Sequence, residues 1–219
     1  MTSCALTVVS AVFCGVLIAA EYFTLAKLRI AAKIIASAAF VVLAAPAAHH
    51  GAFGHWVFAG LVLGAIGDVA LLGRSKTAFL AGLVAFLFGH LAYIFAIAEL
   101  EAPGRWFADA GLLAAVPIAV GLVVLAMLWS RLGSLRIPVI GYVVAIDAMV
   151  IAAFAAYRAD ALADPQKTWL AVGAALFFLS DISVARERFV GRTFANKLWG
   201  LPAYYAAQLL IAWTAISFS

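Results

Sequence analysis

Eight long stretches of this sequence contain few charged side chains, and this feature restricts the fold more than any other. Stretches of about 17–23 apolar residues cross the hydrocarbon core of a bilayer as helices. The unbroken length of these apolar stretches excludes an outer-membrane barrel, whose strands alternate apolar and polar residues. We therefore predict an all-α polytopic membrane protein, a single domain of eight transmembrane helices over residues 1–219. The stretches are residues 4–22, 32–48, 55–73, 77–98, 108–130, 135–157, 167–185 and 197–217.

The composition excludes the other large classes of protein. Hydrophobic residues make up 68% of the chain and charged residues 11%, whereas soluble domains are roughly half apolar and a quarter charged. A soluble fold of this composition would expose large apolar patches, so a soluble enzyme, a disordered chain and a coiled coil are excluded. Cys4 and Cys14 match neither a metal motif nor a disulfide framework.

The basic residues predict the orientation of the helices. Only Arg105, Arg158 and Lys167 follow even-numbered stretches, whereas eleven basic residues follow odd-numbered ones. Because cytoplasmic loops are enriched in Lys and Arg, we predict that both termini lie on the outer side of the membrane. We expect this membrane to be the inner membrane of a bacterial cell. No basic residue precedes the first stretch, which is expected to be a retained helix rather than a signal peptide. The eleven inner residues are Lys27, Arg29, Lys33, Arg74, Lys76, Arg131, Arg136, Arg186, Arg188, Arg192 and Lys197.

A weak internal repeat relates the third and seventh stretches. Residues 59–72 read AGLVLGAIGDVALL, and residues 172–185 read VGAALFFLSDISVA. The spacing suggests two four-helix halves in the same orientation, as in parallel-repeat membrane proteins; a chance match is the alternative. The matched positions are Gly60, Leu63 and Asp68 with Gly173, Leu176 and Asp181.

Three carboxylates lie inside the apolar stretches, at Asp68, Asp147 and Asp181. Each costs at least about 2.5 kcal/mol at a helix centre, so it marks either a functional site or a structural hydrogen bond. Gly60 and Gly64 precede Asp68 on one helix face, which predicts that this face points into the bundle. Asp181 lies at a similar depth, and we predict that Asp68 and Asp181 meet in one polar pocket near the cytoplasmic side. For Asp147, a structural hydrogen bond and a functional role explain the sequence equally well.

Further polar residues near this layer are candidates for binding a substrate. For the tyrosines among them, a place in the interfacial aromatic belt explains the sequence equally well. For His90, a structural hydrogen bond explains it equally well. No metal or cofactor is predicted, because His49, His50 and His55 share an outer loop but match no zinc motif. The candidates are Lys33, His90, Tyr93, Tyr142, Tyr204, Tyr205 and Gln208.

Five short motifs occur in order along the chain: G-D, F-x-x-G, G-H-x-x-Y, S-D and Y-Y-x-x-Q. They lie in GLVLGAIGDVALLG (60–73), FLAGLVAFLFGHLAYIFAI (79–97), GAALFFLSDISVA (173–185) and AYYAAQLL (203–210). In these motifs the sequence resembles the YhhN family of membrane proteins. Lys33 resembles a family lysine that proline usually follows, although Ile34 follows it here. The pattern of the sixth helix is matched by Pro138, Tyr142 and Met149.

The resemblance implies the eight-helix fold of the family and its activity, lysoplasmalogenase. This reaction hydrolyses the vinyl ether bond of a lysoplasmalogen to a fatty aldehyde and a glycerophospho-base, glycerophosphoethanolamine or glycerophosphocholine. Asp68 and Asp181 suit it as catalytic residues, one as a protonated acid and the other stabilising an oxocarbenium-like cation and activating water, as carboxylate pairs do in glycosidases. The sequence leaves open which is which.

The resemblance also indicates what the protein binds. Lys33 or a basic residue of the inner loops is expected to hold the phosphate, and the hydrocarbon chain is expected to lie among the helices. The predicted partners are therefore a lysophospholipid substrate and membrane lipids, with no nucleic acid and no obligate protein partner.

Two other functions stay open at this stage. Another intramembrane lipid hydrolase, cleaving an amide or ester, would need several histidines for a metal or a Ser–His pair, but Ser180 adjoins Asp181 rather than a base. A small-solute or lipid transporter would also use intramembrane carboxylates and glycine-rich helices. A carrier acts only across a sealed membrane, whereas a hydrolase also acts in detergent.

Overall fold

The computed structural model describes residues 2–73 and 75–217, and every regular element in this part of the chain is a helix. Arg74, which the sequence places among the inner basic residues, lies outside the described residues. Eight of the described α-helices have at least 18 residues. The α-helices are α1 (Thr2–Tyr22), α2 (Ala26–Ala44), α3 (Gly51–Ala70), α4 (Lys76–Ala98), the short α5 (Trp106–Ala110), α6 (Ala115–Leu132), α7 (Arg136–Arg158), α8 (Gln166–Phe189) and α9 (Phe194–Ile216).

Within the described ranges, six stretches are long and apolar enough to cross a membrane. Five of them correspond to α1, α2, α3, α4 and α8, and one stretch of 56 residues, Pro103–Arg158, includes both α6 and α7. Helix α9 is not among the six. The chain is therefore an all-helical integral membrane protein, as the sequence predicts. Length and hydropathy do not confirm the finer prediction of eight spans.

Charged residues extend two of the helices beyond their predicted ends. Helix α2 begins at Ala26 rather than at residue 32, so that Lys27, Arg29 and Lys33 belong to its first turns. Helix α8 continues past residue 185 to Phe189. Hydropathy assigns such residues to loops, but Lys and Arg are good helix formers. Several of the predicted loop cations therefore lie on helix ends.

The fifth predicted stretch, 108–130, is not a single helix. A 3₁₀-helix at Pro103–Arg105, the short α5 and a second 3₁₀-helix at Gly111–Ala114 precede α6. Gly111 has a φ of 56°, a backbone conformation that glycine adopts without the steric penalty of a Cβ. The chain turns there, and α6 begins only at Ala115. The apolar pattern does not reveal this break, because the residues on both sides of it are apolar.

Three helix pairs pack together most extensively, namely α1 with α2, α3 with α4, and α8 with α9. Helix α9 also contacts α1, α2 and α3, while α7 contacts α4, α6 and α8. Helices α2, α3, α4, α7, α8 and α9 thus surround a common interior. The two segments of the proposed repeat lie in the pairs α3–α4 and α8–α9, and the division of the chain into two related halves stays a prediction.

Two glycines on α3 give side chains of α4 and α9 access to this interior. A Cβ atom at Gly60 would collide with the ring of Tyr93, and one at Gly64 would collide with the side-chain amide nitrogen of Gln208. Small residues allow such close approach between membrane helices. The glycines that precede Asp68 therefore make space for polar side chains from two neighbouring helices.

Candidate active site

Asp68 is a buried carboxylate with a donor on each oxygen. The ammonium nitrogen of Lys33 lies 2.8 Å from Oδ1, and the hydroxyl of Ser37 donates a hydrogen bond of 2.7 Å to Oδ2. Lys33 and Ser37 are four residues apart and share one face of α2. The hydroxyl of Tyr205 on α9 lies 3.3 Å from that of Ser37. A buried charge requires such pairing, and Lys33 supplies the opposite charge.

A second hydrogen-bonded group links α4 to α9. The hydroxyl of Tyr93 donates a hydrogen bond of 2.7 Å to the side-chain oxygen of Gln208. The side-chain amide of Gln208 in turn donates one of 3.1 Å to the hydroxyl of Tyr204. All three side chains are buried. Because the Tyr204 oxygen accepts from Gln208, its own hydrogen is donated to Asp68, and this hydrogen bond joins the group to the first carboxylate.

Asp181 on α8 faces His90 of α4 and Tyr142 of α7. The hydroxyl of Tyr142 donates a hydrogen bond of 2.9 Å to Oδ2 of Asp181. Nε2 of His90 lies 3.3 Å from the same oxygen. The aromatic rings of Tyr142 and Phe177 pack at the edges of the imidazole, with ring centroids 5.2 and 4.7 Å away. The carboxylate of Asp181 thus meets an imidazole and a phenol.

The other side of the imidazole determines where its hydrogen lies. Nδ1 of His90 is 2.6 Å from the backbone oxygen of Phe86, and a carbonyl oxygen can only accept a hydrogen bond. Nδ1 therefore carries a hydrogen, and Nε2 of a neutral ring is a bare acceptor. Nε2 has no hydrogen-bond partner of standard geometry among residues 2–73 and 75–217, and the oxygen of Asp181 faces it. Both atoms are acceptors, so a proton held by either one would face an acceptor on the other.

Both aspartates line one cavity with a volume of about 400 Å³. Lys33 and Tyr204 also line it, and Ser180 and Ser183 add hydroxyl-bearing residues from α8. Of the predicted site residues, Asp68, Asp181, Lys33 and Tyr204 thus share a cavity wall. The other predicted residues support this wall from behind or lie beside it; they are His90, Tyr93, Tyr142, Tyr205 and Gln208.

Cationic side chains from the end of α8, the start of α9 and the residues between them line one part of this cavity, which we call its cationic end. Lys197 is paired with Glu187 at 2.8 Å and with Glu21 at 3.5 Å. Arg188 and Arg192 line the same cavity, and no ion pair joins either of them to a carboxylate within the described part of the chain. A guanidinium group binds phosphate through two parallel hydrogen bonds. This end of the cavity is therefore suited to a phosphate group.

Asp181 and Tyr142 also border a second, narrower space of about 70 Å³, whose remaining walls are almost entirely aliphatic and aromatic. It lies between α4, α6, α7 and α8. Asp181 therefore has polar space on one side and apolar space on the other.

Asp147 lines neither space, although Gly121, against which it packs, lines the narrower one. It packs against α6, where a Cβ atom at Gly121 would lie 2.8 Å from Oδ2 of Asp147. Its Oδ1 is buried without a hydrogen-bond partner among the described residues. The third intramembrane carboxylate is thus separate from the candidate site.

The sequence analysis missed Ser37, which binds Asp68 directly. The available signal was its spacing. A serine four residues after Lys33 lies on the same helix face, so both side chains can reach the same partner on a neighbouring helix. It also missed the contact between His90 and Asp181, since no local pattern relates residues on α4 and α8.

The model of the YhhN family matches residues 28–215 of this chain. The chain belongs to the YhhN family. The match begins in α2 and continues into α9, so it includes every residue of the candidate site in this YhhN protein.

Curated relatives carry the name of one activity. "Lysoplasmalogenase" of Mycobacterium bovis and of Mycobacterium tuberculosis are each 37% identical over 185 residues, which is 80% of this chain and 66% of each relative. "Lysoplasmalogenase TMEM86A" of Bos taurus is 32% identical over 167 residues, 73% of this chain and 65% of the relative. The YhhN protein thus spans slightly less than two thirds of the length of these relatives. No solved structure matches it.

Proposed function

We propose that this YhhN protein is a lysoplasmalogenase, which hydrolyses the vinyl ether bond of a lysophospholipid to a fatty aldehyde and a glycerophospho-base. One observation carries the proposal: Asp68 and Asp181 line the same cavity but have different partners. Asp68 is paired with a lysine, whereas Asp181 faces an imidazole and a phenol. Such unequal environments let two carboxylates take different roles in one reaction. The name of the relatives supports the same reaction.

The first step uses the proton of the Asp181–His90 pair. This proton is transferred to the outer carbon of the vinyl ether, whose double bond supplies the electron pair for the new C–H bond. The carbon attached to oxygen becomes an oxocarbenium-like cation. The hydroxyl of Tyr142, which donates to Asp181 at 2.9 Å, holds the carboxyl group in place and stabilises the negative charge that remains after the transfer.

The second step adds water to the cation. Asp68 attracts the cation, orients a water molecule and accepts the proton that the water loses as its oxygen bonds to the cationic carbon. The hemiacetal formed in this way then collapses. The glycerol oxygen takes the proton held by Asp68 as its bond to carbon breaks, and the proton of the hemiacetal hydroxyl passes to the Asp181–His90 pair as the aldehyde forms. Both acidic groups thereby return to their starting states. Lys33 keeps Asp68 in position throughout.

The polar head group occupies the cationic end of the cavity. Arg188 and Arg192 bind the phosphate, and Lys33 lies deeper, beside Asp68. A lysophospholipid therefore places its phosphate near the helix ends and its ether oxygen between the two carboxylates. The substrate and the surrounding membrane lipids are the proposed partners, with no requirement for a second protein.

The proposed topology has eight spans with both termini outside, in a bacterial inner membrane, and two four-helix halves. It is supported by the eight helices of at least 18 residues. It is also supported by the eleven basic residues that follow odd-numbered apolar stretches, against three that follow even-numbered ones. Fusing a reporter that works only in the cytoplasm to Ser219 should give no signal. A strong cytoplasmic signal would overturn this topology and would indicate a miscounted span or the opposite orientation.

The activity is tested with purified protein in detergent, lysoplasmalogen and measurement of the released aldehyde. Asp68→Asn and Asp181→Asn should each lower turnover by at least about 10²-fold, the usual contribution of general acid–base catalysis. The double variant should be little worse than the weaker single variant, because the residues act as a unit.

Asp147→Asn is the matched control, because it removes a third intramembrane carboxylate that lines neither cavity. It should keep wild-type turnover. Full activity of Asp68→Asn would refute the mechanism. Transport of a solute into sealed vesicles, with no aldehyde released in detergent, would identify a carrier instead.

A further inference from the structure

The narrow apolar space beside Asp181 has no role in the chemistry described so far. Gly121, Val124 and Leu128 form its α6 wall, and their spacing of three and four residues places them on one helix face. None of the three lines the polar cavity. We call this space the α6 groove. Helix α6 thus borders the site only through an apolar surface.

The α6 groove and the polar cavity adjoin each other. They share the lining residues Leu71, Phe79, Phe86, Asp181 and Val184. The guanidinium of Arg188 lies over the ring of Phe79, 4.4 Å from its centroid, so one shared residue contacts the cationic end of the cavity directly. A ligand that extends from Arg188 past Asp181 therefore meets cationic, then acidic, then apolar surroundings.

We propose that the α6 groove binds the first carbons of the alkenyl chain of the substrate and positions its double bond against Asp181. This inference rests on the proposed function. A lysolipid carries charge at one end and hydrocarbon at the other, and burial of the hydrocarbon is favourable by roughly 0.8 kcal/mol for each methylene group. The order of surroundings along the two spaces matches the order of groups along such a molecule.

The size of the groove limits what it recognises. Its volume is about 70 Å³, and roughly 10–15 Å³ of such space admits one water-sized group, which is similar in size to a methylene group. The groove therefore holds only a short segment of hydrocarbon, and the rest of the chain extends beyond it. A change in the groove should accordingly affect substrates with short and long chains to the same degree.

The test uses a lysophospholipid with a saturated 1-O-alkyl ether, which has no double bond to protonate and therefore binds without reacting. Its affinity is measured for the wild-type protein and for Val124→Phe, both in lipid nanodiscs. The larger side chain should fill the groove and weaken binding at least about tenfold. Val123→Phe, the same change on the adjacent, 57% exposed residue of α6, should leave the affinity unchanged. Glycerophosphoethanolamine, which lacks the chain, should bind wild type and Val124→Phe equally.

The outcomes separate this inference from the proposed function. Wild-type turnover of lysoplasmalogen together with unchanged alkyl-lipid binding by Val124→Phe would overturn the groove alone. A wild-type protein that neither hydrolyses lysoplasmalogen nor binds the alkyl lipid would overturn both.

A second measurement on the wild-type protein covers the case in which Val124→Phe does not fold. An alkyl lysolipid with a photoreactive group on its first carbons should label residues 121–128 of α6. Labelling confined to other helices would overturn the proposal.

Discussion

Replacing Lys33 by methionine keeps the length of the side chain and removes the charge that compensates Asp68. The two side chains are 13% and 4% exposed, so solvent screens their interaction little. Removing one partner of a buried ion pair destabilises a protein by about 3–5 kcal/mol, because the other charge remains buried. For a chain of this length 1 kcal/mol lowers Tm by about 2–4 °C, so Lys33→Met should lower it by roughly 6–20 °C.

The assay is thermal unfolding of each variant in the same detergent. The double variant Lys33→Met/Asp68→Asn should recover most of the lost Tm, because it buries no net charge and an amide can still bind the Ser37 hydroxyl. The matched control is Lys167→Met. The partners of Lys167 are Asp160 and Asp164, whose side chains are 74% and 64% exposed, and exposed pairs contribute little. The control should therefore unfold at the wild-type temperature.

Two results would refute this reasoning. One is a wild-type Tm for Lys33→Met, which would mean that the ion pair with Asp68 does not contribute to stability. The other is a double variant as unstable as Lys33→Met itself, which would place the loss in packing of the lysine side chain rather than in charge.

Two further changes test the neighbourhood of the carboxylates. Tyr142→Phe should lower lysoplasmalogen turnover about tenfold and Tm by a few degrees, because one buried hydrogen bond to Asp181 is lost; wild-type turnover would exclude the hydroxyl from the mechanism. Gly64→Ala should lower Tm, because the added Cβ collides with the amide of Gln208, whereas Gly141→Ala adds a Cβ in open space and should not. Equal Tm values for both alanine variants would contradict the packing of α3.

Much of the fold could be predicted because a bilayer leaves the chain few choices. Helices are the means by which an apolar stretch satisfies its backbone groups in lipid, so the apolar pattern identifies most of the long helices. It fails at Gly111, where the backbone turns within an apolar stretch. It also fails at Ala26, since hydropathy does not distinguish a charged helix end from a loop.

The candidate site was only partly predictable. The cost of a charge in the membrane identifies Asp68 and Asp181 from the sequence alone. Their partners depend on which helices become neighbours, and a single sequence carries no local signal for that. The contact of Ser37 with Asp68 and the contact of His90 with Asp181 therefore became visible only in three dimensions.

The positions of these partners along the chain have a consequence for biosynthesis. Proteins are made from the N-terminus onward, and Lys33 on α2 precedes Asp68 on α3. His90 on α4 and Tyr142 on α7 likewise precede Asp181 on α8. When each aspartate leaves the ribosome, these partners are already in the growing bundle, and only Tyr204 of α9 reaches Asp68 later. Each carboxylate can therefore bind a side chain that was made earlier as it enters the bilayer. This contact offsets part of the free-energy cost of inserting the charge.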